Sequence, residues 1–148
     1  MDNLSQVEAD ELLSVEKHSA SDEVHAFPAT GEHLTLKLVT ADEREFFNVD
    51  INRRSIALNK CTFNGRARSA VILARLDLNG APHRNPDGEE LPCPHLHLYR
   101  EGYADKWAFP VPPGAFSDLS DLRTTCSDFL AYFNVTRPPV IQKDLLTP

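Results

Sequence analysis

Two histidines and a tyrosine alternate along one short segment of this 148-residue chain. His95, His97 and Tyr99 are separated from one another by Leu96 and Leu98. Because successive side chains of a strand point to opposite faces, the segment predicts a strand with both imidazoles and the phenol on one face. Histidine titrates near neutral pH, so such a pair can supply an acid and a base in one reaction.

Three arginines near this segment add groups that bind phosphate. Arg75 lies in the strand expected beside it, Arg84 lies in the long connection between the two, and Arg100 directly follows the tyrosine. A guanidinium binds phosphate oxygens and stabilises the charge that develops on them. We therefore expect the histidines to act as general acid and base, the tyrosine to donate a hydrogen bond, and the arginines to clamp phosphate. This set suits metal-independent cleavage of RNA without any cofactor.

The same segment also carries side chains that bind metal ions. Cys93, His95 and His97 lie within five residues, and zinc accepts both thiolate and imidazole ligands. The second, distant pair of ligands that is typical of zinc sites is missing from the sequence. We therefore expect no metal, with these three residues as the secondary candidates for one.

Two known motifs resemble parts of this segment. His95 and His97 followed by Glu101 resemble the first motif of the cupin barrels, although Ala108 stands where that motif has a glycine. The alternating histidines also resemble those of the histidine-triad nucleotide hydrolases, with Tyr99 in the place of the third histidine. Neither the second cupin motif nor the glycine-rich phosphate contacts of the hydrolases are recognisable.

A longer set of motifs resembles a family of short, uncharacterised bacterial and prophage proteins. The motifs are RLD at 75–77, PHRNPDG at 82–88, HLHLYREGY at 95–103 and DKWA at 105–108. The resemblance covers residues 70–110 and implies no particular activity. It does imply a mobile genetic element, where small toxins, nucleases and inhibitors of host defence are frequent.

Charge is distributed unevenly along the chain. Residues 1–50 contain twelve acidic and three basic side chains, whereas residues 53–84 contain seven basic side chains and one acidic one. A basic centre favours a polyanionic partner such as RNA. Alternatively, the acidic N-terminal part folds back and neutralises the basic centre within the same domain.

Hydrophobic patterns predict an α+β fold of two helices and about six strands. A capping box at Ser5 and Glu8 starts a helix over residues 5–17, and an apolar stripe predicts an amphipathic helix over 119–133. Asn64 and Gly65 predict a hairpin turn. Strands are expected at residues 34–39, 47–51, 56–63, 70–78, 95–100 and 106–111.

The expected architecture is one domain over residues 1–148, as the chain length favours. Residues 1–32 form a helix and a polar loop, residues 33–111 form a curved, mostly antiparallel sheet, and residues 112–148 form a helix and an extended tail. The C-terminal helix packs on one face of the sheet. No secretory signal or long apolar run is recognisable, so we expect a cytoplasmic protein without a membrane partner.

Two function classes remain open from the sequence, and only one of them is enzymatic. The first is a ribonuclease-like protein of the kind that serves as the toxin of a toxin–antitoxin pair, with RNA and an antitoxin as its partners. The second is a non-enzymatic prophage protein that binds a host defence protein through its acidic surface. The sequence assigns no oligomeric state.

Overall fold

The computed structural model of the protein describes residues 3–54 and 59–142. Most of its elements are strands. In chain order the elements are α1 (Gln6–Ser14), β1 (Lys17–Ser19), β2 (Val24–Ala26), β3 (His33–Val39), β4 (Phe46–Asn52), β5 (Cys61–Ala67), β6 (Val71–Leu78), β7 (His83–Arg84), β8 (Glu90–Leu91), β9 (His95–Leu98), β10 (Ala108–Pro110), α2 (Leu122–Tyr132), β11 (Val135–Arg137) and β12 (Val140–Gln142).

Eight of these strands form the main sheet, in the order β10-β9-β6-β5-β4-β3-β1-β11. Neighbours are antiparallel except for the edge pair β1 and β11, which is parallel. The α+β class with a largely antiparallel sheet is therefore confirmed. The expectation of a strandless loop over residues 18–32 is wrong, because β1 and β2 lie there. Strands this short carry too few residues to show an alternating pattern.

Helix α2 packs against one face of the sheet through aromatic side chains. The ring of Phe129 stacks on Phe63 with centroids 5.8 Å apart, and the ring of Phe133 meets Phe47 edge-on at 5.9 Å. These four rings are at most 1% exposed. The helix begins later than expected, because Asp121 caps it by accepting hydrogen bonds from the backbone amides of its first turn.

Helix α1 begins as the sequence predicts and ends earlier. The hydroxyl of Ser5 accepts a hydrogen bond from the Glu8 amide, and the Glu8 carboxylate accepts one from the Ser5 amide, which completes the capping box. The helix ends at Ser14 because Lys17 enters strand β1 beside Val135.

The hairpin turn expected at Asn64 and Gly65 is wrong. Both residues lie inside β5, and the turn follows at Arg68 and Ser69, which have φ angles of 49° and 68°. Gly65 serves packing instead, since a Cβ atom there would lie 2.7 Å from Cε1 of Phe133. Of the strand expected at 56–63, residues 56–58 lie outside the described residues.

No helix within residues 3–54 and 59–142 is long and apolar enough to cross a membrane.

Candidate functional site

Strands β6 and β9 lie side by side and place four polar side chains on one face of the sheet. Arg75 is paired with His97, and Asp77 is paired with His95. Leu76, between the two β6 residues, belongs to the hydrophobic core. Because side chains alternate along a strand, the polar groups lie on the face that points away from the core.

Together with Asp105, which accepts a hydrogen bond from Arg75, these four side chains form a group that we call the histidine cluster. The histidine cluster consists of Arg75, Asp77, His95, His97 and Asp105. Oδ2 of Asp77 lies 3.1 Å from Nε2 of His95 and 3.2 Å from Nε2 of His97. Nδ1 of His95 lies 3.2 Å from the Pro92 carbonyl oxygen, and Nδ1 of His97 lies 2.8 Å from the Asp105 carbonyl oxygen. All four ring nitrogens therefore have a partner.

The guanidinium of Arg75 joins both carboxylates of the cluster. Its Nη1 donates to Asp105 at 2.7 Å, its Nε lies 3.2 Å from Oδ1 of Asp77, and its Nη2 lies 3.0 Å from Nε2 of His97. Burial disfavours the ionised form of Asp77. The hydrogen bond with His97 and the charge of Arg75 outweigh this effect and hold the pKa of Asp77 below its usual range.

Both imidazoles are buried in the folded protein. His95 is 1% exposed and His97 is 0% exposed. The long connection between β6 and β9 covers them: it forms the hairpin β7–β8, whose His83 ring lies 4.5 Å from that of His97. Direct acid–base catalysis by His95 and His97 needs rings that reach a substrate, so this burial counts against it, whereas Arg75 does lie beside them on the neighbouring strand.

A polar cleft of about 420 Å³ lies beside the cluster. Three of its lining residues carry a buried polar atom that has no hydrogen-bond partner among the described residues: Oδ1 of Asn64, Oδ1 of Asp77 and Nε of Arg75. An unpartnered buried acceptor is costly and is common where a ligand completes the bonding. The cleft is lined by backbone or side-chain atoms of Asn52, Lys60, Thr62, Asn64, Arg75, Asp77, Leu78, Gly80, Ala81, Pro82, His83 and His95.

Tyr99 lies against the start of α1 and does not join the cluster contacts described above. Its hydroxyl donates to the Leu4 carbonyl at 2.8 Å and accepts from the Leu4 amide at 2.8 Å. The ring is 6% exposed. We therefore assign Tyr99 a structural contact with α1, and its expected role as a donor to substrate has no support in this geometry.

Two of the three expected phosphate clamps lie elsewhere. Arg84 is exposed and pairs with Glu90 at 3.2 Å on the small hairpin. The guanidinium of Arg100 lies over the Trp107 ring, 4.6 Å from its centroid. Neither residue lines the cleft, so of the expected clamps only Arg75 does.

Cys93 is also separated from the two histidine rings by its own hydrogen bonds. Its thiol donates to the Asp77 carbonyl at 3.1 Å and accepts from the Gly80 amide at 3.2 Å. The described group whose ligand atoms all lie within 4.8 Å of one another is instead Asp77, His95 and His97. A carboxylate therefore replaces the thiol in the candidate ligand set.

Several arginines of the basic centre are neutralised inside the protein. Arg66 pairs with the half-buried Asp50, and Arg68 pairs with Glu45 at 3.2 Å and with Glu8 at 3.6 Å. For these residues the internal neutralisation considered above is what the structure shows. Arg68 lies in a groove beside α1 that we call the acidic groove, lined by Glu8, Glu11, Leu12, Ser14, Val15, Glu45 and Arg68.

Three residues of the site carried no readable signal in the sequence. Asp105 reaches Arg75 from the turn before β10. Asn64 reaches the cleft from β5, and Lys60 reaches it from the position directly before that strand. Asn64 was assigned to a turn because of its neighbouring glycine. Only the register of β5 against β6, which pairs Asn64 with Arg75, reveals its position.

A family model described as a family of unknown function (DUF6978) matches residues 4–135, a range that includes both helices and the histidine cluster. No curated protein matches the chain, and no solved structure does.

Proposed function

The chain belongs to this family of unknown function, and we propose that it cleaves RNA at the polar cleft beside the histidine cluster. The observation that carries the proposal is the convergence of the buried cluster with the cleft: Arg75, Asp77 and His95 belong to both. Buried, mutually perturbing ionisable groups beside a cleft are typical of catalytic sites.

The cleft offers the groups that hold a phosphodiester. Lys60 and Arg75 supply positive charge, and Thr62 and Asn64 supply neutral hydrogen-bonding groups. Half-buried His83 adds an imidazole on the cleft wall, with its Nε2 held 2.7 Å from the Lys106 carbonyl oxygen. A phosphate bound here would complete polar contacts in a partly dehydrated site, where electrostatic stabilisation is strong.

The proposal concerns the reaction and its site. It does not retain the expected metal-independent mechanism, in which His95 and His97 directly serve as acid and base. That mechanism needs imidazole nitrogens free to exchange protons with substrate, and all four ring nitrogens already have partners. The two histidines are therefore assigned to the floor of the site.

Cleavage of a single-stranded, fluorophore-quencher RNA by the purified protein tests this proposal, with Mg²⁺, Mn²⁺ or Zn²⁺ and with chelator. We expect cleavage by the wild type and a loss of about 10²-fold or more in His97→Gln and in Arg75→Gln. Lys37→Gln, which changes an exposed lysine of β3, is the matched control. No cleavage by the folded wild type under any of these conditions, or full activity in both cluster variants, contradicts the proposal.

An RNA-cleaving activity also fits the setting that the sequence motifs imply. A small ribonuclease on a mobile element is of most use in the cytoplasm, where it reaches cellular RNA and an antitoxin can restrain it. Growth arrest on induced expression, relieved by Arg75→Gln, is the expected cellular result, and unimpaired growth with active protein present contradicts the toxin assignment.

The acidic groove supports a second candidate, a protein that binds a basic surface of a host defence protein. Three carboxylates line it against one guanidinium, Arg68, and the exposed side chain of Val15 lies among them. Complementary charge of this kind speeds association and selects basic partners. We expect a stoichiometric partner to bind the wild type and the Asp22→Lys variant. The Glu11→Lys and Glu45→Lys variants should no longer bind it. Binding unchanged in all three variants excludes the groove.

A further inference from the structure

One carboxylate oxygen and two imidazole nitrogens of the histidine cluster lie within 4.8 Å of one another. Oδ2 of Asp77 lies 3.1 Å and 3.2 Å from Nε2 of His95 and His97, respectively. Zinc binds nitrogen at about 2.0–2.1 Å and carboxylate oxygen at about 2.0–2.2 Å, so two of its tetrahedral ligands lie about 3.3–3.5 Å apart. The observed spacing is close to that of ligands around one such ion.

In neutral rings, the carbonyl contacts of Nδ1 favour the tautomer whose converging Nε2 nitrogens carry no proton, and when a ring is protonated an Nε2 proton shared with Asp77 replaces the lone pair. A neutral imidazole carries one N–H, and in both histidines Nδ1 faces a carbonyl oxygen, to which it can only donate. Nε2 then presents a lone pair. Two such lone pairs repel a neighbouring carboxylate oxygen unless a positive charge offsets them, and in the metal-free protein the Arg75 guanidinium supplies one, with Nη2 3.0 Å from Nε2 of His97.

Fixing of Nδ1 by a carbonyl is also the arrangement found around histidines that bind metals. Such ligands almost always donate their second N–H to a carboxylate, a carbonyl or water, which orients the ring. In this protein the Pro92 and Asp105 carbonyls play that part for His95 and His97. Arg75 forms an ion pair with Asp77 without hydrogen-bond geometry between them, because its Nε lies 3.2 Å from Oδ1, and this leaves Oδ2 to the imidazoles.

We propose that Asp77, His95 and His97 bind one divalent transition-metal ion, with zinc the best match to the ligand types. Two imidazoles and one carboxylate provide three ligands and leave further positions for water or substrate, as in catalytic rather than structural zinc sites. The neighbouring ring of His83, 4.5 Å from His97 by centroid, lies on the cleft wall beside this position.

Arg75 is the group that competes with the ion. Its Nη2 lies 3.0 Å from Nε2 of His97, so that contact must open when a metal binds. The guanidinium keeps its 2.7 Å hydrogen bond to Asp105 through Nη1. Arg75→Gln is therefore expected to bind metal at least as tightly as the wild type, although it loses activity on RNA.

Titration of chelator-treated, full-length protein with Co²⁺ and Zn²⁺ tests the site without any substrate. We expect one ion per chain, visible Co²⁺ absorption that Zn²⁺ displaces, and a thermal midpoint about 5 °C or more higher at saturating Zn²⁺. A wild type that binds no stoichiometric Co²⁺ or Zn²⁺ overturns the proposal, whatever its activity. In that case a proton supplies the positive charge in the cluster.

Single variants identify the ligands. His97→Gln and Asp77→Asn are expected to weaken binding by more than the roughly 10–100-fold typical of neighbouring groups that do not ligate. His33→Gln, which changes an exposed histidine hydrogen-bonded to Arg54, is the control and keeps wild-type affinity. Unchanged affinity in both ligand variants, with folding verified by circular dichroism, overturns the assignment.

The metal proposal and the RNA proposal fail separately. Metal binding is read from absorption and stoichiometry alone, whereas cleavage is read with RNA present. If the protein binds the ion but does not cleave RNA, the metal site stands and RNA is rejected as the substrate.

Discussion

Asp77 on β6 and His95 on β9 face each other across two neighbouring strands, with Oδ2 and Nε2 3.1 Å apart. The His95 residue is 1% exposed, whereas the side chain of Asp77 is 21% exposed and borders the cleft. Removing one partner of a buried hydrogen-bonded contact usually destabilises a protein by more than the intact contact stabilises it, because the other polar group is left unsatisfied. The same contact therefore decides both the stability of the sheet and the chemistry of the cleft.

Acid should expose the contribution of Asp77 to stability in metal-free protein. Its pKa is lowered in the folded state, so its contribution is present above the unfolded value near pH 4 and is lost as the pH falls through the folded value. Asp77→Asn is expected to lose about 3 kcal/mol at pH 7 and to decline less than the wild type between pH 5 and pH 2. Chemical unfolding measured across this range, with Asp22→Asn as control, tests it. Parallel declines in all three proteins contradict the assignment.

Tyr99 holds the N-terminal helix to the sheet. Its hydroxyl bonds both the amide and the carbonyl of Leu4, 95 residues earlier in the chain. Tyr99→Phe leaves two buried backbone groups unsatisfied and is expected to cost about 1–3 kcal/mol. Amide exchange in α1 should accelerate more than exchange in α2. The control Tyr103→Phe, at a ring 42% exposed, should leave both unchanged; equal acceleration in both helices would refute the local role.

Gly65 allows Phe133 to lie directly on β5. A Cβ atom at Gly65 would lie 2.7 Å from Cε1 of a ring that is 0% exposed. Gly65→Ala is therefore expected to destabilise the protein by about 1–3 kcal/mol. At Gly80 the nearest atom, Cε of the Lys60 side chain, would be 3.6 Å away, so Gly80→Ala should be nearly neutral. Equal effects of the two substitutions on urea unfolding would argue against this packing.

Lys17 should make the protein more stable as the pH rises above 7. Burial lowers its pKa to about 7, although its ammonium donates to three carbonyls, including that of Phe133 at 2.8 Å. Above pH 7 the unfolded chain holds a proton that the folded chain has lost, so stability rises by up to about 1.4 kcal/mol per pH unit. Unfolding at pH 7–8.5 should show this rise in the wild type and in Lys37→Met, and lose it in Lys17→Met.

Two buried thiols set the upper end of the pH range in which stability rises. Burial raises the pKa of both Cys61 and Cys126 to about 12. Above the unfolded value near 8.5, the unfolded thiols lose protons that the folded ones keep, so stability then falls with pH. A rise in Lys17→Met equal to that of the wild type would contradict the assignment to Lys17.

The long, regularly patterned elements could be predicted from the sequence. Alternation over β3 and β4 and the apolar stripe of α2 gave their positions to within a few residues, because each buries one complete face. Strands β1 and β11, the last two at one end of the sheet, could not be found, since three residues show no period. The turn at Asn64 failed for another reason: local turn chemistry was overridden by the close approach of Phe133.

The pairing of His95 and His97 with Arg75 and Asp77 was predictable, whereas the exposure of the rings and the remaining members of the site were not. Alternation along β9 correctly placed His95 and His97 together, and strand order brought Arg75 and Asp77 to them. Burial of the rings depends on where the chain between β6 and β9 folds, and His83 on that segment carries no signal of its contact with His97. Tyr99 follows the same alternation, yet the start of α1 occupies its hydroxyl.

Nitrogen NMR of histidine side chains in ¹⁵N-labelled protein tests the central claim most directly. Chelator-treated protein is compared with protein that holds one equivalent of Zn²⁺. We expect His95 and His97 to keep a proton on Nδ1 and to show Nε2 resonances at metal-bound positions when zinc is present. Nε2 resonances that zinc leaves unchanged, or rings protonated at both nitrogens with zinc present, would contradict a metal ion at the histidine cluster.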